Sequence, residues 1–97
     1  MDSGESWRDC FKNWPSDVRR RGVVVTSFNE QIPFANFATS ETILLIERSA
    51  PDTVGARMVL VPYGDIAGLK IIDPIKPQAL APMGFTVSSP GRPGKTG

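Results

Sequence analysis

The sequence contains no histidine and only one cysteine, Cys10. The absence of histidine removes the commonest general base and the commonest metal ligand near neutral pH. A single cysteine cannot form an internal disulfide, and no residues at metal-ligand spacing surround it. We therefore predict no catalytic residues, no cofactor-binding or metal-binding residues, and a protein that is not an enzyme.

The chain is also poor in net charge and in long apolar segments. Its formal net charge is +1 over 97 residues, so no overall electrostatic field draws it to nucleic acid or to an anionic membrane. An apolar run such as Ile43–Ile46 is far shorter than the roughly 20 residues that a membrane-spanning helix needs. No secretory signal is recognisable, and together with the cysteine content this favours a soluble, cytoplasmic protein without membrane contact.

What the chain does contain is a series of short β-type runs separated by turn signals. The runs cover residues 22–28, 31–37, 42–48, 56–61 and 66–72. This spacing predicts a mainly β fold, a small five-stranded antiparallel barrel with a short N-terminal α-helix and an extended C-terminal tail. We expect a hairpin turn at Asn29–Glu30 and a central strand at Ile43–Ile46. Pro33 is expected at an edge, at a bulge or in the first turn of its strand, and Gly64 is expected to adopt a positive φ at the last corner.

A short amphipathic helix is predicted before the first strand. Four residues share one helix face because they are spaced at i, i+3, i+4 and i+7: Trp7, Cys10, Phe11 and Trp14. We expect Ser3 or Ser6 to cap this helix and Pro15 to end it. The aromatic stripe has two interpretations. It closes one end of the barrel as core, which the usual burial of large aromatic side chains favours, or it forms an exposed platform for a partner or for nucleic-acid bases.

The composition changes after Asp73. Residues 1–73 are predicted to form the helix and the barrel, and residues 74–97 form a Pro-rich basic tail. The apolar residues within 79–87 allow that part of the tail to fold back on the barrel as an edge strand. Residues 88–97 have the composition of a disordered segment.

The run from Val59 to Leu69 combines apolar residues, a Gly64-Asp65 turn and a second apolar strand. It resembles the second signature motif of the Sm-like family, and the order of one helix and five strands over residues 7–73 resembles the same small barrel. The resemblance implies an N-terminal helix stacked on an open barrel, a fold shared with other SH3-like barrels. Tyr63 stands where the family usually has arginine, and Thr39-Ser40-Glu41 stands where it has the Asp and Asn that hold a base. The resemblance therefore supports the fold more than RNA binding.

Arg19, Arg20 and Arg21 form a basic cluster before the first strand. Three guanidinium groups at this junction could contact the phosphates of a nucleic acid through bidentate hydrogen bonds. The alternative, which the low net charge favours, is a solvated junction whose arginines pair with carboxylates. The candidate carboxylates are those of Asp17, Glu30 and Glu47.

The tip of the first hairpin is a second candidate surface, because binding residues concentrate on such loops. The candidate residues are Phe28, Asn29, Glu30 and Phe34, with Tyr63 added from the last corner. In the alternative interpretation, Phe28 and Phe34 pack against each other across the hairpin as a structural pair.

These patterns favour a non-catalytic protein-interaction or assembly module. The edges of its barrel would pair with a protein partner or with further copies of the chain. The alternative is an Sm-like nucleic-acid-binding protein that uses the local arginine cluster, so nucleic acid is a possible but not a favoured partner. An enzyme is the least favoured class, because acid–base chemistry would need a carboxylate tuned by burial.

Overall fold

The computed structural model describes residues 2–87 as an N-terminal helix and five antiparallel strands joined in one sheet. The elements are α1 (Ser3–Lys12), β1 (Gly22–Thr26), β2 (Gln31–Thr39), β3 (Ile43–Arg48), β4 (Met58–Pro62) and β5 (Ile66–Lys70), with 3₁₀ helices at Tyr63–Asp65 and Pro77–Met83. Neighbouring strands follow the order β4-β3-β2-β1-β5. The mainly β prediction, with its short N-terminal helix, is confirmed. Because β4 and β5 are not paired in this sheet, closure into a barrel stays a prediction.

α1 begins at a capping box formed by Asp2 and Glu5, so the prediction of Ser3 or Ser6 as the cap was wrong. The Asp2 carboxylate accepts a hydrogen bond from the Glu5 N–H at 2.8 Å, and the Glu5 carboxylate accepts one from the Asp2 N–H at 3.3 Å. Both carboxylates are also favoured at this end by the helix dipole. The helix ends at Lys12, so Trp14 reaches the core from the turn that follows the helix.

An aromatic cluster joins the helical segment to β2. Phe11 is 1% exposed and Trp14 is 8% exposed, whereas Trp7 is half-buried. The core interpretation of the stripe is therefore confirmed for Phe11 and Trp14. Most ring pairs are edge-to-face, with centroids 5.0–6.3 Å apart, an arrangement that aromatic rings prefer. The rings of the cluster are those of Phe11, Trp14, Phe34 and Phe37.

The first hairpin turns at Asn29, as predicted. Asn29 has a φ of 65°, a left-handed conformation that asparagine tolerates better than most residues. The Thr26 N–H donates to the Glu30 carbonyl at 2.9 Å and closes the turn. In the β1–β2 ladder Gly22 pairs with Phe34, which places the Phe34 ring far from the hairpin tip and inside the aromatic cluster.

Pro33 lies inside β2, opposite Val23, and not at an edge of the sheet. The Ser49 N–H donates to the Pro33 carbonyl at 3.2 Å, just beyond the end of β3. The nitrogen and the carbonyl of Pro33 both point towards β3. The N–H that proline lacks would therefore lie at the end of the β2–β3 ladder. The register of that ladder is also irregular between Phe34 and Asn36, so the expected bulge lies beside Pro33.

The central strand is β2, and the prediction that Ile43–Ile46 is central was wrong. β3 lies between β2 and the edge strand β4. Leu44 and Ile46 are 0% exposed, whereas Ile43 is 37% exposed and Leu45 is half-buried. β3 therefore has one core face and one apolar face that the described chain covers only in part.

Gly64 does not adopt the positive φ that we expected. Among residues 2–87, the glycines with positive φ are Gly55 and Gly84. The chain turns the corner through a 3₁₀ helix, and the first turn of α1 packs on that helix: a Cβ added at Gly4 would lie 3.3 Å from the Gly64 nitrogen. This corner is therefore distinguished by the close approach of Gly4 to the backbone of Gly64, and not by an unusual backbone conformation of Gly64.

The expected edge strand within residues 79–87 does not form, and the contacts of this segment with the core are those of Ala79 and Met83. The segment Pro77–Met83 is a 3₁₀ helix, a form compatible with its prolines, which lack the N–H that a strand ladder needs. Ala79 and Met83 pack against the core, and the Met83 sulfur lies 3.7 Å from the Cys10 sulfur. The segment predicted to be disordered, 88–97, lies outside the described residues.

Candidate functional site

Two of the three clustered arginines make contacts within the fold. The Arg21 guanidinium pairs with Asp73 at 2.7 Å. Arg20 donates a hydrogen bond to the Phe37 carbonyl at 3.1 Å, and its guanidinium carbon lies 4.5 Å from the centroid of the Phe37 ring. Arg19 is exposed. Arg20 therefore holds the segment before β1 against β2, and Arg21 links the same segment to Asp73.

The carboxylates that we expected to pair with these arginines do not do so in the structure. The partner in the described chain is Asp73, which is distant in sequence but close in space because β5 lies beside β1. The salt bridge of the cluster is thus made with a carboxylate other than the expected ones. Asp17, Glu30 and Glu47 form no salt bridge among residues 2–87.

The candidate residues of the hairpin tip separate into exposed and buried groups. Phe28 is 62% exposed, and Asn29 and Glu30 are exposed beside it. Phe34 is 1% exposed, so it lies in the core and does not contribute to this surface. The predicted pair of Phe28 and Phe34 is also wrong, because Phe34 pairs with Gly22 at the other end of the hairpin.

Tyr63 is 2% exposed, so its side chain is not on a surface. Its hydroxyl donates a hydrogen bond to the Ser40 carbonyl at 2.9 Å and accepts one from the Ser40 N–H at 3.3 Å. These bonds hold the β2–β3 turn against the corner after β4. The arrangement satisfies a buried phenol and makes Tyr63 a structural residue.

An open groove of about 480 Å³ lies between the first turn of α1, the β2–β3 turn and the corner after β4. Its charged side chains form salt bridges or hydrogen bonds. Arg8 lies 4.0 Å from Glu41, and Lys12 also pairs with Glu41 and thereby lowers the pKa of that carboxyl. Asp2 and Glu5 form the capping box. The charged groups of the groove are thus held in salt bridges or in hydrogen bonds to the helix backbone.

Cys10 is a half-buried thiol on α1. Burial raises the pKa of the Cys10 thiol, which makes the thiolate scarcer at neutral pH. In the part of the chain that the structure describes, no three His, Cys, Asp or Glu side chains converge as metal ligands.

The unpaired side of β4 is the feature that the sequence did not reveal. The Arg48 N–H donates to the Arg57 carbonyl at 2.9 Å, and the Tyr63 N–H donates to the Thr42 carbonyl at 3.2 Å. In an antiparallel pair the backbone hydrogen bonds recur at every second residue. The N–H and carbonyl groups of the odd-numbered residues of β4 therefore point towards β3. The N–H and carbonyl groups of Met58 and Leu60 consequently point away from the sheet.

Apolar side chains accompany these free backbone groups. Met58 is 60% exposed and Leu60 is 62% exposed, and in the ladder Leu60 lies opposite the half-buried Leu45. Ile43, which is 37% exposed, completes the group. We call this the β4 edge surface and define it by Met58, Leu60, Ile43 and Leu45. The alternation of β4 indicated which residues share a face but not that the strand lies at an edge.

The helices among residues 2–87 are all too short or too polar to cross a lipid bilayer. Comparison with protein-family models, with curated proteins and with solved structures finds no match to this chain.

Proposed function

We propose that the chain is a non-catalytic protein-interaction or assembly module and that the β4 edge surface is its contact surface. The observation that carries the proposal is the coincidence of unpaired backbone groups with exposed apolar side chains on the same strand. Natural proteins usually blunt such an edge with charges, bulges or a covering element, because it can pair with another chain. β4 carries no charge and no bulge, and its proline, Pro62, lies only at its end, so the strand is suited to bind a partner by adding a strand to the sheet.

We also propose that the sheet is a small barrel of the Sm-like or SH3-like kind. The N-terminal helix, the strand order and the 3₁₀ corner between β4 and β5 support this proposal. The irregular register in β2 supports it as well, because bulges bend strands towards closure. Cys10 is a free thiol, which supports a reducing compartment such as the cytoplasm.

Nucleic-acid binding is the second candidate and is less well supported. Arg20 and Arg21 are engaged within the fold, and Arg19 alone among the three is left exposed without such a contact in the described chain. Tyr63, at the position where the Sm-like family usually has arginine, is buried. The net charge of the chain is only +1, whereas a nucleic-acid-binding domain usually has a larger excess of basic residues.

The test is the solution mass, measured by light scattering over a range of protein concentrations. We expect an assembly larger than the monomer that Leu60→Lys disrupts, because a lysine at the edge places an uncompensated charge in the contact. Val54→Lys is the matched control: Val54 is 86% exposed in the β3–β4 loop, and the substitution makes the same change of charge away from the edge.

A mass that is the same for Leu60→Lys, Val54→Lys and the unmodified chain would contradict the proposal. The same measurement is repeated with a random-sequence RNA at low and at moderate salt. RNA binding that weakens steeply with salt and with Arg19→Ala would favour the second candidate, whereas the module is expected to ignore RNA.

A further inference from the structure

The two free edges of the sheet differ in how well each can accept another strand. The β3–β4 ladder is unbroken from Ile43 opposite Pro62 to Glu47 opposite Met58. The β1–β5 ladder is interrupted, because Val25 pairs with Gly68 and Thr26 pairs with Ile66, which leaves Ala67 as an extra residue in β5. A bulge twists an edge away from further pairing, and β5 also carries the exposed Lys70. β4 has neither feature.

We infer that the β4 edge surface pairs with β4 of a second copy of this chain, antiparallel and with Leu60 opposite Leu60. The inference rests on the proposed function and names the partner for the same surface. A straight, uncharged strand needs a partner of the same kind, and the only unbroken edge in the described sheet is β4 itself. The two copies are related by a two-fold axis at Leu60, so the contact is self-complementary and closes as a dimer.

The free backbone groups match in this register. The Leu60 N–H of each copy donates to the Leu60 carbonyl of the other, and the Met58 N–H donates to the Pro62 carbonyl of the other. Pro62 has no N–H, but it lies at the end of β4, so its missing donor falls at the rim of the contact. Shifting either strand would leave part of β4 unpaired, whereas this register pairs every residue from Met58 to Pro62.

The side chains of the outer face also match. Leu60 meets Leu60, and Met58 meets Pro62, so each cross-strand pair is apolar and becomes covered. The nearest charge on this face is that of Glu47, which lies opposite Met58 in the β3–β4 ladder. The two-fold axis places the two Glu47 carboxylates at opposite ends of the contact, so they do not repel each other.

Single cysteines at the edge test the partner and the register together. All variants carry Cys10→Ser, so that the native thiol does not contribute. In the inferred dimer the two copies of residue 60 have Cα atoms about 5.5 Å apart, within reach of a short bifunctional thiol reagent that joins two cysteines through a two-carbon spacer. The two copies of residue 58 are separated by four residues of strand, roughly 13 Å, which is too far. Leu60→Cys and Met58→Cys therefore form a matched pair on equally exposed positions.

We expect Leu60→Cys to form a covalent dimer with this short thiol reagent at least about tenfold faster than Met58→Cys, because only the two copies of residue 60 are within its reach. Equal rates, or no dimer from Leu60→Cys, would overturn the inference. If the unmodified chain still forms an assembly that Leu60→Lys disrupts, the proposed module stands and its partner strand is a different one. If the unmodified chain stays monomeric and Leu60→Cys does not cross-link, the proposed module fails as well.

Discussion

Leu44 and Leu45 are neighbours in β3 whose side chains point to opposite faces, so one pair of substitutions tests which face is the core. Leu44 is 0% exposed and belongs to the central hydrophobic cluster. Leu45 is half-buried on the outer face, opposite Leu60. Leu44→Ala and Leu45→Ala remove the same atoms from the same strand, and the difference between them therefore isolates burial.

Replacing a fully buried leucine by alanine costs about 2–5 kcal/mol, because the transfer free energy is lost and a cavity remains. A domain of this size has a free energy of unfolding of about 5–15 kcal/mol, so Leu44→Ala removes a large fraction of it. Each 1 kcal/mol lowers the midpoint of thermal unfolding by about 4–8 °C in a domain of this size. We expect a loss of about 1.5 kcal/mol or less for Leu45→Ala, because part of its surface is already in water.

The assay is urea unfolding followed by the fluorescence of the buried Trp14, at a protein concentration low enough to keep the chain monomeric. Equal slopes against urea confirm that the denatured states are comparable. A loss for Leu45→Ala that equals or exceeds the loss for Leu44→Ala would refute the assignment of the two faces of β3. It would mean that the outer face of β3 is covered in the monomer.

Four further substitutions follow from local geometry. Gly22→Ala should lower the free energy of unfolding by about 1–3 kcal/mol, because the added Cβ would lie 2.4 Å from the Lys70 carbonyl oxygen. Gly64→Ala should change it by no more than about 0.5 kcal/mol, because no atom lies within 4 Å of the added Cβ. Urea unfolding compares the two variants. Tyr63→Phe should cost about 1–3 kcal/mol in the same assay, because the partly buried backbone groups of residue 40 lose their partner. Backbone N–H groups of its own loop lower the pKa of Asp52, so its stabilising effect should be present near neutral pH and be lost as the pH falls through that lowered pKa; thermal unfolding of Asp52→Asn against pH should show a flatter acid limb.

The strands and the helix could be predicted from the sequence because their signals are local. Alternating apolar residues and turn residues located β1 to β5, and the spacing of Phe11 and Trp7 located the helix. The N-terminal cap of the helix was predicted wrongly, as Ser3 or Ser6. The sequence does contain the signal of a capping box, since Glu5 follows Asp2 by three residues.

The partners of charged and polar side chains could not be predicted, because they depend on which strands become neighbours. Arg21 pairs with Asp73 only because β5 lies beside β1. Tyr63 reaches Ser40 only because β3 pairs with β4 and brings the two turns together. In both cases the sequence separation is large and no local pattern encodes the contact, so the candidate binding residues included a buried phenol and arginines that are engaged within the fold.

The same dependence on strand order explains why the β4 edge could not be recognised from the sequence, and it also provides the strongest argument for a missing neighbour. The segment Met58–Pro62 contains only apolar residues, whereas an edge strand usually carries charges that deter further pairing, yet in the sheet it has only β3 beside it. An edge strand of this composition leaves apolar side chains and two N–H groups in water, and no charge or bulge protects it. β5, at the other edge, is bulged and ends in Lys70. The composition of β4 is therefore that of an interior strand, and pairing with a second copy would make it one.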